Sequence, residues 1–304
     1  MDEFHSKRIN QVVDYIQAHL ETNLSLKKLA EVACFSEFHF SRIFKTIMGE
    51  PVYQFIRRLR LEKSAELLLT NPRKSITEIA LMCGFATPSS FAKSFKNHFK
   101  MNATEWRNKS NTFFNKESTA VQIELGKISA INGSPVWTFQ KEDSIRQVVI
   151  ENIPPFKIAY VRNLGPYQGD ETLFEKLYTQ LFQWAAPRSQ INDNTFTLNI
   201  YHDNPEITEK QKLRVMVAIP VIDPVNPSGT VGITNITGGK YGVCHFSLKR
   251  NEFAEAWDWM FSVWLMNSGY EWDNRESFER CNGERVIDGI RYFDVDICIP
   301  VKAK

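Results

Sequence analysis

One acidic residue, Glu279, sits in the strand-like run Ser277-Phe-Glu-Arg-Cys281, within a region rich in aromatic side chains. A carboxylate among aromatic rings suits an apolar cation, because loss of water strengthens both ion pairing and cation–π attraction. A solvated strand glutamate is the plainer reading, and the residues alone leave both open. Nearer the N-terminus, two cations, Arg42 and Lys93, occupy matching places in a repeated segment. Donors on the outer face of a helix can meet guanine or phosphate. Cys34, Cys83, Cys244, Cys281 and Cys298 are scattered, without a C-x-x-C pair or a histidine at ligand spacing. They are expected to be reduced core thiols, with no zinc site and no disulfide framework. No cofactor is expected, and no Ser-His-Asp arrangement or glycine-rich phosphate loop points to catalysis.

The chain has 304 residues, 43% hydrophobic and 24% charged, enough for two domains with cores of their own. Its longest apolar run, Val215 to Ile222, is short and contains Pro220, so no membrane-spanning helix is expected. The start, Met1-Asp2-Glu3-Phe4-His5, lacks the apolar stretch of a secretory signal, and a cytoplasmic location is expected. Charge divides unevenly. Residues 1–110 carry 17 Lys/Arg against 11 Asp/Glu, and the remainder 20 against 24, so a nucleic-acid partner fits the first part only.

The elements that would place Arg42 and Lys93 form an internal repeat. Ser25-Leu-Lys-Lys-Leu-Ala-Glu-Val-Ala-Cys-Phe35 returns as Ser75-Ile-Thr-Glu-Ile-Ala-Leu-Met-Cys-Gly-Phe85. With one residue inserted, Phe40, Arg42, Phe44 and Lys45 then match Phe91, Lys93, Phe95 and Lys96. Each copy reads as helix, tight turn, helix. Ser36 and Thr87 are N-caps, Pro88 suits a first helical position, and Gly84 suits a turn of positive φ. An opening helix carries Ile9, Val12, Val13, Ile16 and Leu20, and Pro51 to Thr70 forms a long connecting helix. A helical bundle without a DNA role would explain these helices, but not the repeated cation opposite the phenylalanines.

Residues 5–108 resemble the DNA-binding domain of the AraC family, through Ile79-Ala80-x-x-x-Gly84-Phe85 and Phe95-Lys96-x-x-Phe99. The resemblance implies two recognition helices joined by a rigid helix, entering successive major-groove segments of double-stranded DNA. By position it assigns base contacts to Phe38, Ser41 and Arg42 in the first and to Ser89, Ser90 and Lys93 in the second. His39 is either a base or phosphate contact or an exposed residue without a role. The glutamines that the family often carries near Pro88 and Ser89 are absent.

Residues 109–144 read as a linker, polar at first and mixed from residue 120 onward. Beyond it lies a second repeat, shifted by 80 residues. Leu213-x-Val215-x-Val217-x-Ile219-Pro220-Val221 matches Phe293-x-Val295-x-Ile297-x-Ile299-Pro300-Val301, and Trp184 matches Trp264. The alternation marks strands, and an amphipathic helix precedes each copy, Thr172 to Ala185 and Asn251 to Asn267. The expected fold is therefore multi-domain. An all-α double helix-turn-helix domain (1–108) precedes an α+β domain (145–304) of two pseudo-symmetric strand–helix–strand–strand repeats forming one antiparallel sheet. The groove between the repeats is the expected pocket, lined by Phe174, Phe196, Tyr201, Phe246, Glu279 and Phe293, although each ring alone could be ordinary core. Glu279 stands out because its repeat mate is the neutral Asn199.

Residues 145–302 resemble the GyrI-like effector-binding domain. The carrying segments are Asn163-Leu-Gly-Pro-Tyr167, Tyr201-His-Asp-Asn-Pro205, Gly238-Gly-Lys-Tyr241, Trp264-Leu-x-x-Ser-Gly-Tyr270 and Phe278-Glu279. The resemblance makes Glu279 a binding or catalytic residue at a pocket floor. Cys281 departs from the aromatic that often follows two residues later. Together the two resemblances imply a regulator that reads DNA, senses a hydrophobic or cationic small molecule and activates by recruiting RNA polymerase. With two reading helices in one chain, a monomer on DNA is expected. Two alternatives concern the C-terminal domain: a hydrolase of strained-ring compounds, in which an aromatic hydroxyl joins Glu279, or a protein-interaction module.

Overall fold

The computed structural model describes residues 3–113, 127–131, 134–141, 144–193, 195–273 and 275–303. The chain divides into two compact units, and the helical one runs to Phe113, with Asp203–Lys212 and Asn226–Gly232 grouped with it. Its helices are α1 (Glu3–Ala18), α2 (Leu26–Ala33), α3 (Glu37–Met48), α4 (Val52–Thr70), α5 (Ile76–Met82), α6 (Pro88–Phe99) and α7 (Ala103–Phe113).

Local chemistry sets each boundary. Ser25, Ser36, Ser75 and Thr87 cap α2, α3, α5 and α6 through side-chain oxygens, and Glu78 closes a capping box with Ser75. Pro88 opens α6, where its missing N–H costs nothing. Ile9, Val12, Val13 and Ile16 of α1 are buried, as are Phe40, Phe44, Phe91 and Phe95 of α3 and α6. The turn between α5 and α6 needs glycine. Gly84 has φ +79°, and a Cβ there would lie 2.7 Å from the Leu20 carbonyl oxygen and 3.0 Å from the Arg60 guanidinium. Arg60 donates to that same carbonyl at 2.9 Å, which draws the end of α1 against the turn.

Inside α4, Arg58 is 4% exposed and lies between two carboxylates. Its Nη2 is 2.6 Å from Glu50 Oε1, and its Nη1 is 2.9 Å from Glu62 Oε2. Buried charges persist only when paired this closely. Trp106 of α7 donates to the Ala65 carbonyl and packs its ring against Phe95 and Phe99.

The second unit is built on one sheet. Its strands are β1 (Lys127–Ile131), β2 (Ser134–Lys141), β3 (Ser144–Ile153), β4 (Phe156–Leu164), β5 (Thr197–Tyr201), β6 (Arg214–Pro220), β7 (Val231–Ile236), β8 (Gly239–Leu248), β9 (Tyr270–Trp272), β10 (Phe278–Ile287) and β11 (Ile290–Ala303). Their order is β1-β2-β3-β8-β11-β10-β5-β6-β4-β7, with β9 beside the far end of β11. Helix α8 (Glu171–Ala185) follows β4, and α9 (Phe253–Asp258) follows β8 and continues into a π-helical turn, Trp259–Leu265.

The linker expectation for 109–144 is corrected here. The last residues of α7 and the hairpin β1–β2 lie in it, and β2 pairs with β3 from Val136↔Val149 to Lys141↔Ser144. The apolar residues among 127–141 join a ladder, which polar composition over 109–118 had hidden.

The repeat appears as two strand triplets, β8-β11-β10 and β4-β6-β5, that meet where β10 pairs with β5. In that register Glu279 stands opposite Asn199, so the repeat mates face each other at the pseudo-twofold axis. Strand alternation then sorts the side chains. One face carries Ile158, Tyr160, Leu198, Ile200, Met216, Tyr241 and Phe278 in a single core. The other bears the helices, and Trp264 lies so close to Gly242 that a Cβ there would be 1.8 Å from its ring.

Arg58→Ala should cost about 3–5 kcal/mol in urea unfolding, because it strands two buried carboxylates. Replacing all three charges, with Glu50→Gln, Arg58→Met and Glu62→Gln, should recover most of that loss.

Candidate functional site

Two surfaces carry the chemistry expected from the sequence. On the first, the burial of Phe40 and Phe44, and of Phe91 and Phe95, turns the opposite sides of α3 and α6 to solvent. Phe38 is 81% exposed, and Arg42, Ser89, Ser90 and Lys93 are exposed as well. Two serine hydroxyls are already engaged as donors: Ser41 Oγ gives its hydrogen to the Glu37 carbonyl and Ser90 Oγ to the Thr87 carbonyl, each at 2.8 Å. Each keeps its acceptor lone pairs, so both serines can accept from a base amino group. His39 is half-buried, edge-on to Phe35 at 4.8 Å and 5.6 Å from the ring of His5, and so helps to pack the start of α3.

The second surface centres on Glu279, which is 0% exposed. Its Oε2 accepts from Asn199 Nδ2 and from the Tyr201 hydroxyl, each at 3.0 Å, and its Oε1 accepts from Trp257 Nε1 at 2.7 Å. The Tyr178 hydroxyl of α8 donates to Asn199 Oδ1 at 2.7 Å. Both helices are thereby tied to the two strands at the axis. Aromatic rings close over this centre: Tyr201 lies 5.4 Å from Tyr167 and 5.7 Å, edge to face, from Trp257, which stacks at 6.2 Å on Phe261. Burial pushes the Glu279 carboxyl up, and the hydrogen bonds from Asn199, Trp257 and Tyr201 oppose that rise without cancelling it. Burial, reinforced by the neighbouring carboxylate, likewise raises Tyr201 well above the ordinary phenol range.

The expected pocket set is only partly gathered here. Tyr201 touches Glu279 directly, and Phe174 packs against the cluster of Tyr167, Leu213 and Val215 beside it. Phe246 and Phe293 share the helix-bearing face but sit elsewhere on it. Phe246 packs against Trp259, and Phe293 packs against Phe253 and lines a groove of about 440 Å³. Phe196 lies on the opposite face, against Phe156, because it alternates with Leu198 and Ile200 rather than with Asn199 and Tyr201. The inclusion of Phe196 is therefore corrected. Trp257 and Tyr178, which hold the two axis residues, were not anticipated. Their signal was helical periodicity, which marks a buried stripe without naming what its polar tips meet.

The raised carboxyl sets a testable pH dependence. The folded state holds the Glu279 proton to higher pH than the unfolded state, so the stability tied to this group falls as pH rises from about 4.5 through the folded pKa. Urea midpoints across that window should show this slope in the wild type and lose it in Glu279→Gln; identical slopes would contradict the shift.

Comparison with known proteins covers both parts of the chain. Residues 146–302 match the GyrI-like small molecule binding domain, and residues 29–109 match a helix-turn-helix domain. An uncharacterized HTH-type transcriptional regulator of Staphylococcus aureus (strain COL) is 42% identical over 92 residues, 30% of this chain and 12% of that protein. The probable transcriptional regulator LumQ of Photobacterium leiognathi is 32% identical over 108 residues, 35% of this chain and 43% of LumQ. The chain thus spans about an eighth of the staphylococcal relative and under half of LumQ. A crystal structure of an AraC-type transcriptional regulator from Chromobacterium violaceum is 29% identical, with a TM-score of 0.32, over 34% of this chain and 91% of that one. The chain belongs to the GyrI-like small-molecule binding family, its family domain carried behind a segment that matches a helix-turn-helix domain.

Proposed function

We propose that this protein is a sequence-specific transcription regulator whose C-terminal domain senses a small molecule. The observation that carries the DNA half is the pair of outward-facing helices, α3 with Phe38, Ser41 and Arg42, and α6 with Ser89, Ser90 and Lys93, each anchored by two buried phenylalanines. An apolar side that fixes the helix and donors on the far side are what major-groove reading requires. The chain acts in the cytoplasm and binds its site as a monomer, because it brings two reading helices of its own. It activates by engaging RNA polymerase.

For the sensing half, the support is a carboxylate that is fully buried and that, among the described residues, accepts from the neutral donors Asn199, Tyr201 and Trp257. A hydrophobic cation entering beside Tyr201 and Trp257 would supply the missing countercharge amid aromatic faces. Oε1 is the oxygen such a ligand competes for, since Trp257 alone fills it among the described residues.

A second reading of the same centre is hydrolysis of a strained-ring compound, and the observation favouring it is the Tyr201 hydroxyl 3.0 Å from Glu279. The ionised Glu279 carboxylate, made more basic by burial, can take a proton from an attacking water, while the Tyr201 phenol gives its proton to the leaving carbon of the opened ring and regains one from Glu279.

Arg42→Ala should cost about 1–3 kcal/mol on the cognate site and relax preference at the base beneath it. An equal loss on random DNA would make Arg42 a phosphate contact, and a footprint confined to one half-turn would defeat the two-helix docking. Calorimetric titration should show a dye-like aromatic cation binding more weakly to Glu279→Gln than to wild type, with a neutral analogue unaffected. Equal affinities throughout would remove the charge role. Turnover of a strained-ring substrate that vanishes in the variant would replace sensing with hydrolysis.

A further inference from the structure

The groove beside Phe293 has the opposite charge character from the Glu279 centre. None of the Glu279 partners Asn199, Tyr201 or Trp257 lines it. Its apolar floor is Phe293, packed edge to face on Phe253, together with Ile290, whose side chain is 45% exposed. Its rim holds three cations, Lys249, Arg250 and Arg291, and one acid, Glu171. Both guanidinium groups lean on that single carboxylate, Arg250 Nη1 at 3.3 Å from Oε2 and Arg291 Nη1 at 3.2 Å from Oε1. Arg250 also donates to the Gly169 carbonyl, and Lys249 is held over the ring of Tyr292. Glu284, outside the groove lining, reaches Arg291 only at 4.0 Å. Among the lining residues three positive charges stand against one negative, and Glu252, which accepts from the Lys249 backbone N–H at 2.8 Å, and Glu284 lie just outside.

We infer that this groove is a second ligand site, which takes the acidic head of an amphiphile, a carboxylate or phosphate carried on an apolar body. The head lies between Arg250 and Arg291, and the body lies on Phe293 and Ile290. Guanidinium is suited to this because its planar donors match two oxygens of one acid group. The resident ion pairs do not obstruct it. Arg250, Arg291 and Glu171 keep 53%, 48% and 40% of their side-chain surface exposed, and pairs so wet contribute little net energy, so either arginine exchanges Glu171 for a ligand cheaply. The inference goes beyond the sensing role proposed for Glu279 and requires a ligand group of the opposite sign.

Three probes that share one ring system separate the possibilities: 2-naphthoate, 2-naphthalenemethanol and 2-naphthylmethylammonium, titrated calorimetrically into the full chain. The groove predicts that naphthoate binds severalfold more tightly than the alcohol, the gain expected of an ion pair on arginines this exposed. Combining Arg250→Gln with Arg291→Gln should abolish that preference while leaving the alcohol unchanged. Glu171→Gln should tighten naphthoate binding severalfold, because it frees both arginines, a gain that a merely structural role for Glu171 would not produce. Glu279→Gln should leave naphthoate binding as it was. No measurable naphthoate binding at millimolar concentration, equal affinities for acid and alcohol, a preference for the ammonium probe, or indifference to the double substitution would each overturn the proposal. Loss of naphthoate binding in Glu279→Gln alone would move the acid into the central site and defeat the groove, whereas indifference of cationic ligands to Glu279 would defeat the central reading and leave the groove standing.

Discussion

A single carboxylate in the dry centre of a sheet is the constraint around which the C-terminal domain is arranged. Burying an ionised carboxyl costs several kcal/mol unless its oxygens are satisfied. Glu279 meets that demand with three neutral donors drawn from two separate elements, Asn199 and Tyr201 of β5 and Trp257 of α9. Asn199 is in turn fixed by Tyr178 of α8. The hydrogen bonds that make the charge tolerable are therefore the same ones that tie two helices to the axis. The difference between the repeat mates follows from the same physics. Two glutamates facing each other across the pseudo-twofold axis would repel, whereas an amide opposite a carboxylate provides a donor. Symmetry is broken where symmetry would be most costly.

Around that centre the sheet's two faces divide the work. The face carrying Tyr160, Tyr241, Phe278 and Cys298 holds an apolar core, with the Arg280–Asp296 ion pair at 2.9 Å farther along the same face, and the helix-bearing face holds the Glu279 centre. Gly242 shows how close the helical layer comes, since any side chain there would occupy the ring of Trp264. The π-helical turn begins two residues after Trp257, the residue that reaches Glu279. Such turns recur at functional sites because a widened turn re-aims the side chains beside it.

Much of this was legible in the amino-acid order. The helix caps Ser36 and Thr87, Pro88 at the first position and the positive φ of Gly84 follow from local chemistry that acts within four residues. The pairing of Glu279 with Asn199 was implicit in the 80-residue shift, because repeat mates must meet wherever the axis passes between them. Three things were hidden. The hairpin β1–β2 lay behind a polar stretch that resembled a linker to its end. Phe196 was grouped by aromatic type, although strand parity places it beneath the sheet. The Arg58 cluster depends on Glu50, eight residues away across a helix boundary, and so follows no helical spacing rule.

Both repeats obey one rule: the copies agree where they must pack and differ on the exposed helix faces and at the axis of the sheet. In the helical unit Phe40 and Phe44 correspond to Phe91 and Phe95, and all four are buried. On the outer face, Phe38 and Arg42 correspond to Ser89 and Lys93. A bulky ring and a planar bidentate donor thus face one way in the first copy, and a small hydroxyl and a point charge in the second. Even the turn differs. Cys34 reaches the left-handed region at φ 53°, with a side chain that is exposed, whereas at Gly84 the Leu20 carbonyl and Arg60 leave no room for a Cβ. One fold used twice therefore presents two unlike surfaces. Under the proposed function, each copy would favour a different stretch of DNA, and an operator recognised by this chain would have no need of two identical halves.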